Sequence, residues 1–198
     1  MLKLFKSNME KRMKMCKKIV EEIRTQSYNI DTVEQAAQKL LSEYKHSGFV
    51  PIVRIIVDAG FKIFYQDMPK EIGGYIIIGD KFQEKLGSDK IIVINEKEDY
   101  NRQRFSLAHE FGHFLLDDNA KQKPEYYNAF ESDDNKSELE ILINRFAAEL
   151  LMPKEEFKKE YQKALQNTAD VYEIYKSLSD LFRVPFVSVK RRIEEVGQ

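Results

Sequence analysis

The stretch Leu107–Leu116 places two histidines, His109 and His113, four residues apart in an apolar run, with Glu110 directly after the first. On a helix, residues four apart share one face, so both imidazoles can contact one ion at about 2 Å. Glu110 then projects beside the ion, where a carboxylate can take a proton from an activated water. The stretch therefore predicts a metal-dependent hydrolytic site; a core helix that happens to contain histidines is the alternative.

Composition argues against several other classes of protein. The 198-residue chain is 42% apolar, enough for one core, and no run approaches the roughly 20 apolar residues that span a bilayer. Its 32 basic and 33 acidic residues leave a net charge of -1, so no overall charge attracts nucleic acid or an anionic membrane. Cys16 is the only cysteine, which suits a reducing compartment and restricts metal ligands to His and carboxylates. We expect a soluble, unexported, cytoplasmic protein.

Helical periodicity dominates both ends of the chain, and strand patterns occupy the middle. Residues 1 to 30 predict a basic amphipathic helix or arm. The segments 61–66, 75–78 and 90–95 predict the strands of a small sheet, and the pattern from residue 101 onward is helical almost throughout. The order of helices, small sheet and helices predicts an α+β fold.

Three local patterns add detail to this outline. Residues 31–34, Asp-Thr-Val-Glu, resemble a capping box that starts a helix. Residues 117 to 137, rich in Asp, Asn, Lys and Tyr, are the best candidate for a loop. Residues 178–196 predict a helix, a tight break at Val184 and Pro185, and a second helix.

A catalytic zinc needs a third protein ligand, and no third histidine follows the first two. The helical run 137–153 supplies carboxylates instead. Its spacing puts Glu140 on the stripe that faces a neighbouring helix and leaves Glu149 off that stripe. A capping box from Ser137 to Glu140 is the alternative explanation for Glu140. Asn144, one turn further, can anchor a ligand histidine through its second ring nitrogen; a buried amide bonded to backbone is the alternative.

The segments R-F-S-L-A-H-E-F-G-H-F-L-L and E-x-x-x-N-R-F-A-A-E-L-L-M-P resemble the ImmA/IrrE family of zinc metallopeptidases. The resemblance covers about residues 31 to 197. It implies that His109, His113 and Glu140 bind zinc and that Glu110 is the catalytic base. It also implies a small twisted sheet packed on a zincin-like helical core, with further helices at the C-terminus.

The resemblance also implies a substrate: a separately encoded transcriptional regulator, such as a repressor of a mobile element or of stress-response genes, cut once. Ile92, Val93 and Ile94 are candidates to pair with an extended substrate segment, although the same run suits a strand buried on both faces. Tyr126 and Tyr127 are candidates to stabilise the oxyanion, and packing residues are the alternative.

The C-terminal segment, residues 178–198, resembles a helix-turn-helix and suggests a rival function. Lys190, Arg191 and Arg192 cluster on its second helix, although nearby glutamates dilute the basic face. We expect this segment to pack on the domain or to dock a partner, and direct binding of nucleic acid is not expected. A protease-like regulator that binds DNA or a repressor without cutting remains the alternative.

We therefore divide the chain into three parts: the basic helix or arm of residues 1–30, a peptidase domain of residues 31–177, and the segment 178–198, packed on that domain or continuous with it. A structural zinc site is a further alternative to catalysis. It would need a fourth protein ligand, for which Asp117 and Asp133 are the candidates.

Overall fold

The computed structural model describes residues 2–44, 47–122, 126–129 and 137–197. Within these residues none of the helices is long and apolar enough to cross a bilayer. The strands are β1 (Lys62–Gln66), β2 (Gly74–Ile78), β3 (Lys90–Asn95) and β4 (Tyr126–Ala129). The helices are α1 (Leu2–Arg24), α2 (Val33–Leu41), α3 (Ile52–Asp58), α4 (Lys81–Leu86), α5 (Tyr100–Leu116), α6 (Asp118–Gln122), α7 (Glu138–Leu151), α8 (Lys154–Asn167), α9 (Val171–Phe182) and α10 (Phe186–Val196).

Strand β3 lies inside the sheet, whose strand order is β1-β3-β2-β4. It runs parallel to β1 and antiparallel to β2, so Ile92 pairs with Ile63 on one side and with Ile76 on the other. The apolar side chains of β3 are buried, which confirms a strand covered on both faces. The prediction that Ile92, Val93 and Ile94 pair with a substrate segment is wrong, because both edges of β3 already pair within the sheet.

Helix α5 connects the sheet to the helical part of the protein. Every residue from Ser106 to Leu116 is buried, so the helix is covered on all sides. It packs against β2 and β3 on the sheet and against α1, α3 and α7 among the helices. The predicted α+β class is therefore confirmed, with the sheet packed on a helical core.

Helix α1 packs on the rest of the protein along one apolar stripe, so Leu2–Arg24 of the predicted N-terminal segment form a helix. Arg12 Nε lies 2.7 Å from the buried carboxylate of Asp58 in α3. The Arg24 guanidinium lies over the Phe114 ring and donates to the carbonyls of Phe114 and Ala120, so a cation covers the C-terminal end of α5. The stripe consists of Cys16, Ile19, Val20 and Ile23. The division of the chain into three parts stays a prediction.

Two local predictions are corrected by the structure. Thr32 is the N-cap of α2, and its side chain makes no capping hydrogen bond. The Oδ1 atom of Asn29 accepts from the backbone N–H groups of Asp31 and Thr32 instead, so the predicted capping box at 31–34 is wrong. The predicted loop 117–137 contains α6 and β4, because β4 pairs with β2, a partner distant in the sequence that local composition does not reveal.

Helices α9 and α10 confirm the predicted helix, break and second helix. Arg183 ends α9 in the left-handed conformation, with φ 53°. Arg192 of α10 is fully buried. Its guanidinium donates to the Glu149 carboxylate, and its Nε–H donates to the Met152 carbonyl at 3.1 Å. Glu149, predicted to lie off the buried stripe, is also fully buried, because this ion pair offsets the cost of removing its charge from water. Arg192 therefore packs α10 onto α7 and is not available to DNA.

Candidate metal centre

The two histidines of α5 face the same buried point. The Asp99 side chain caps the start of the helix by accepting from the backbone N–H of Arg102 at 3.0 Å. Three turns later, His109 and His113 are both buried, and their Nε2 atoms lie 3.2 Å apart. The helix therefore brings the two imidazoles together as their spacing predicts.

Helix α7 brings a carboxylate to the same point. The Glu140 oxygens lie 3.4 Å from His109 Nε2 and 3.3 Å from His113 Nε2. Ser137 is the N-cap of α7, and its Oγ accepts from the Glu140 backbone N–H at 3.2 Å. The capping explanation therefore accounts for the start of α7, but it does not account for a Glu140 carboxylate that lies against two histidines.

The three side chains fit a tetrahedral zinc ion. Tetrahedral ligands at about 2.0–2.1 Å from an ion are separated from one another by about 3.3 Å. In the cluster the two histidine Nε2 atoms lie 3.2 Å apart, and the Glu140 oxygens lie 3.3 Å from His113 Nε2 and 3.4 Å from His109 Nε2. Among the residues that the structure describes, His109, His113 and Glu140 form the one group of three or more His, Cys, Asp or Glu residues able to hold an ion. A zinc ion held by these three side chains would keep its fourth position open to water, as in catalytic zinc sites.

Asn144 fixes the orientation of His109. Its Nδ2 donates to the Glu140 backbone carbonyl at 2.8 Å, which directs its Oδ1 toward the imidazole. The Oδ1 atom lies 3.2 Å from His109 Nδ1, so this nitrogen carries the proton and donates it to Asn144. The lone pair of His109 is then on Nε2, the atom that faces the cluster. The Asn144 amide therefore makes both of the predicted contacts: its Nδ2 bonds to the backbone and its Oδ1 bonds to the histidine.

Burial sets the charge of the other groups. It lowers the pKa of His113 to about 4, so the imidazole is neutral near pH 7 and its lone pair can bind a metal. Burial first, and the nearby Glu140 carboxylate second, raise the pKa of Glu110 well above its usual value. Within the described residues, Glu110 Oε2 is buried without a hydrogen-bond partner. A divalent cation held by the cluster would counter both effects and favour the charged form of Glu110.

Two glycines allow the close approaches that build the centre. A Cβ atom at Gly112 would lie 2.9 Å from Ile143 Cγ2, so the glycine lets α7 pack directly on α5. A Cβ atom at Gly74 would lie 2.9 Å from the Val93 carbonyl oxygen and 3.5 Å from Glu110 Cγ, so β2 begins against the candidate base. Neither role was predicted from the sequence. The signal for Gly112 was a glycine inside a helix, where it costs about 1 kcal/mol relative to alanine.

A cleft of about 190 Å³ opens onto His109 and Glu110. Helix α5 forms one wall, and β2 contributes its start at Gly74. Helix α10 forms another wall through residues that include Val187 and Arg191. The sequence did not predict α10 at the site, because its position depends on long-range packing against α7.

Several predicted residues lie away from this cluster or cannot be assigned to it. The backbones of Tyr126 and Tyr127 lie in β4, but their side chains are outside the described part of the chain, so the oxyanion role stays a prediction. Asp117 lies beyond the end of α5, where it accepts from the backbone N–H of Asn119 at 2.7 Å, and does not belong to the cluster. Asp133 lies outside the described residues.

Comparisons with known proteins agree with this chemistry. Residues 58–194 match the protein family described as the IrrE N-terminal-like domain. The radiation response metalloprotease IrrE of Deinococcus radiodurans is 38% identical over 63 residues, which are 32% of this chain and 19% of that protein. The protein of the same name from Deinococcus deserti is 40% identical over 65 residues, 33% of this chain and 23% of the relative. The aligned segments thus cover less than a quarter of either relative.

Proposed function

The chain belongs to the family of IrrE N-terminal-like domains, a metallopeptidase family, and from this premise we propose that it is a zinc-dependent endopeptidase. One observation carries the proposal: two imidazoles and a carboxylate meet at the spacing of a tetrahedral zinc site, beside a buried carboxylate whose Oε2 has no hydrogen-bond partner among the described residues. In this proposal His109, His113 and Glu140 hold the metal, and Glu110 is the general base.

The groups at the site have different roles in the proposed hydrolysis. Zinc, when bound, lowers the pKa of a coordinated water and polarises the peptide carbonyl. Glu110 accepts the proton of the attacking water on Oε2 and later donates it to the amide nitrogen that leaves. Asn144 holds the His109 ring so that Nε2 faces the centre, and burial keeps His113 neutral.

The substrate is proposed to be an exposed, extended segment of a separately encoded transcriptional regulator in the cytoplasm. The narrow cleft and the burial of Glu110 support an extended substrate segment, because a folded surface cannot reach the base without first presenting a single strand. The resemblance to the ImmA/IrrE family supports a transcriptional regulator as the substrate. Both relatives are named radiation response metalloproteases, which favours a stress-response regulator over a mobile-element repressor.

The test compares the zinc-loaded protein with its Glu110→Gln variant. Glutamine preserves the shape of Glu110 but cannot act as a base, so the variant should keep zinc and lose cleavage. Each protein is incubated with a lysate of the source cells, and new N-termini are identified by chemical labelling and mass spectrometry. We expect one or a few new termini with the wild type, located in a DNA-binding regulator, and none with the variant.

Two results would contradict this proposal. Equal cleavage by the Glu110→Gln variant would remove Glu110 from the mechanism. An intact regulator that co-purifies with the zinc-loaded wild type would instead favour a protease-like regulator that binds without cutting. A gel-shift with DNA from upstream of its own gene would then separate binding to DNA from binding to the repressor.

A further inference from the structure

Helix α10 places a cation in the wall of the cleft. Arg191 lines the same cleft as His109 and Glu110, together with the apolar side chain of Val187. These residues belong to the second helix of the C-terminal segment, and they are not part of either motif that holds the metal centre. One wall of the cleft is therefore formed by residues outside the proposed catalytic machinery.

Arg192 fixes the orientation of this wall. Its guanidinium is fully buried between the Glu149 carboxylate, the Met152 carbonyl and Glu195, whose Oε2 lies 3.1 Å from Nη1. Successive helical residues are rotated by about 100°, so the inward position of Arg192 turns Arg191 out toward the cleft and solvent. Arg191 is exposed, on a helix that cannot easily rotate.

The other charges at the cleft are compensated. Arg102 Nε donates to one Glu98 oxygen at 3.0 Å, and Ser106 Oγ donates to the other at 3.1 Å. A divalent ion would offset the charges of Glu110 and Glu140. Arg191, by contrast, makes no hydrogen bond or ion pair within the part of the chain that the structure describes. The cleft therefore presents a guanidinium without an anionic partner.

We propose that Arg191 is a specificity-determining residue that binds the carboxylate of an aspartate or glutamate side chain in the substrate, close to the bond that is cut. A guanidinium fork matches a carboxylate in two parallel hydrogen bonds, and charge-assisted bonds of this kind are the strong ones. The inference rests on the proposed peptidase function and adds the class of substrate, a segment with an acidic residue beside the scissile bond.

The experiment uses peptide hydroxamates, whose hydroxamate group binds zinc directly. In paired sets, glutamate or glutamine occupies in turn each of the three positions next to that group. Dissociation constants are measured by calorimetry on the full-length, zinc-loaded wild type and on two variants. Arg191→Gln removes the proposed contact. Lys190→Gln removes the same charge from the adjacent exposed residue, which does not line the cleft, and is the matched control.

We expect the wild type to prefer glutamate at one position by about tenfold. The preference should disappear in Arg191→Gln and persist in Lys190→Gln. Equal binding of every pair by the wild type would overturn the inference while leaving the zinc site intact. A preference lost equally in Lys190→Gln would also overturn it, because general charge would then be the cause. Failure of all hydroxamates to bind would contradict the proposed zinc peptidase itself.

Discussion

Replacing Gly112 with alanine tests whether the close approach of α5 and α7 sets the geometry of the metal centre. The added Cβ would lie 2.9 Å from Ile143 Cγ2 and 3.3 Å from Phe146 Cδ1, and both side chains are fully buried. Carbon atoms in contact prefer about 3.5–4.0 Å, so α7 must move away by about 0.5–1 Å. Glu140 lies on α7 one turn before Ile143 and moves with it.

The expected effect on metal binding is larger than the effect on stability. Overpacking of this kind costs about 1–3 kcal/mol, and the helix propensity of alanine returns about 1 kcal/mol, so the free energy of unfolding should fall by at most about 2 kcal/mol. Zinc sites tolerate ligand displacements of only about 0.2 Å, so a shift of α7 should lower zinc affinity by about tenfold or more.

Zinc affinity is measured by competition with a chromophoric chelator, and stability by urea unfolding of the metal-free protein. The control is the double variant Gly112→Ala with Ile143→Ala, which removes the clashing Cγ2 and should recover most of the zinc affinity despite its smaller core. A Gly112→Ala variant that binds zinc as tightly as the wild type and gains about 1 kcal/mol in stability would refute the reasoning, because only helix propensity would then be acting.

Three further predictions follow from named contacts. Asn144→Ala should lower zinc affinity about 10–100-fold. Asn144→Asp still accepts from His109 but no longer donates to the Glu140 carbonyl, so it should lose less; equal affinities for the two variants in the chelator assay would contradict the anchoring role. Arg192→Met should cost about 3–5 kcal/mol in urea unfolding because it strands a buried Glu149, and adding Glu149→Leu should recover most of the loss; an unchanged midpoint would disprove the buried pair. Asn29→Ala should cost about 1 kcal/mol by the same assay, and no loss would mean that the start of α2 needs no side-chain cap.

The sequence predicted what depends on spacing within one element. The His109 and His113 pair follows from the helical period, and β3 was recognised from its apolar run. Glu140 was found by the same periodicity on α7. The family resemblance then gave these residues their expected roles, and the structure brings all three metal-binding candidates together.

Features that depend on long-range partners were not predictable in this way. The neighbours of β3 in the sheet are fixed by tertiary pairing, so its lack of a free edge could not be read from its own residues. The burial of Glu149 was not predicted because its counter-ion, Arg192, lies 43 residues away in the sequence. The place of Arg191 in the wall of the cleft was not predicted for the same reason, since only the docking of α10 turns it toward the cleft.

The most direct test of the central claim is the metal content of protein purified without chelator, measured by elemental mass spectrometry. We expect about one zinc per chain in the wild type, and loss of that zinc in both His113→Ala and Glu140→Ala. A folded wild type that holds no zinc even after being offered the metal would contradict the account. Zinc lost in His113→Ala but kept in Glu140→Ala would remove Glu140 from the ligand set and leave it as a helix-capping residue.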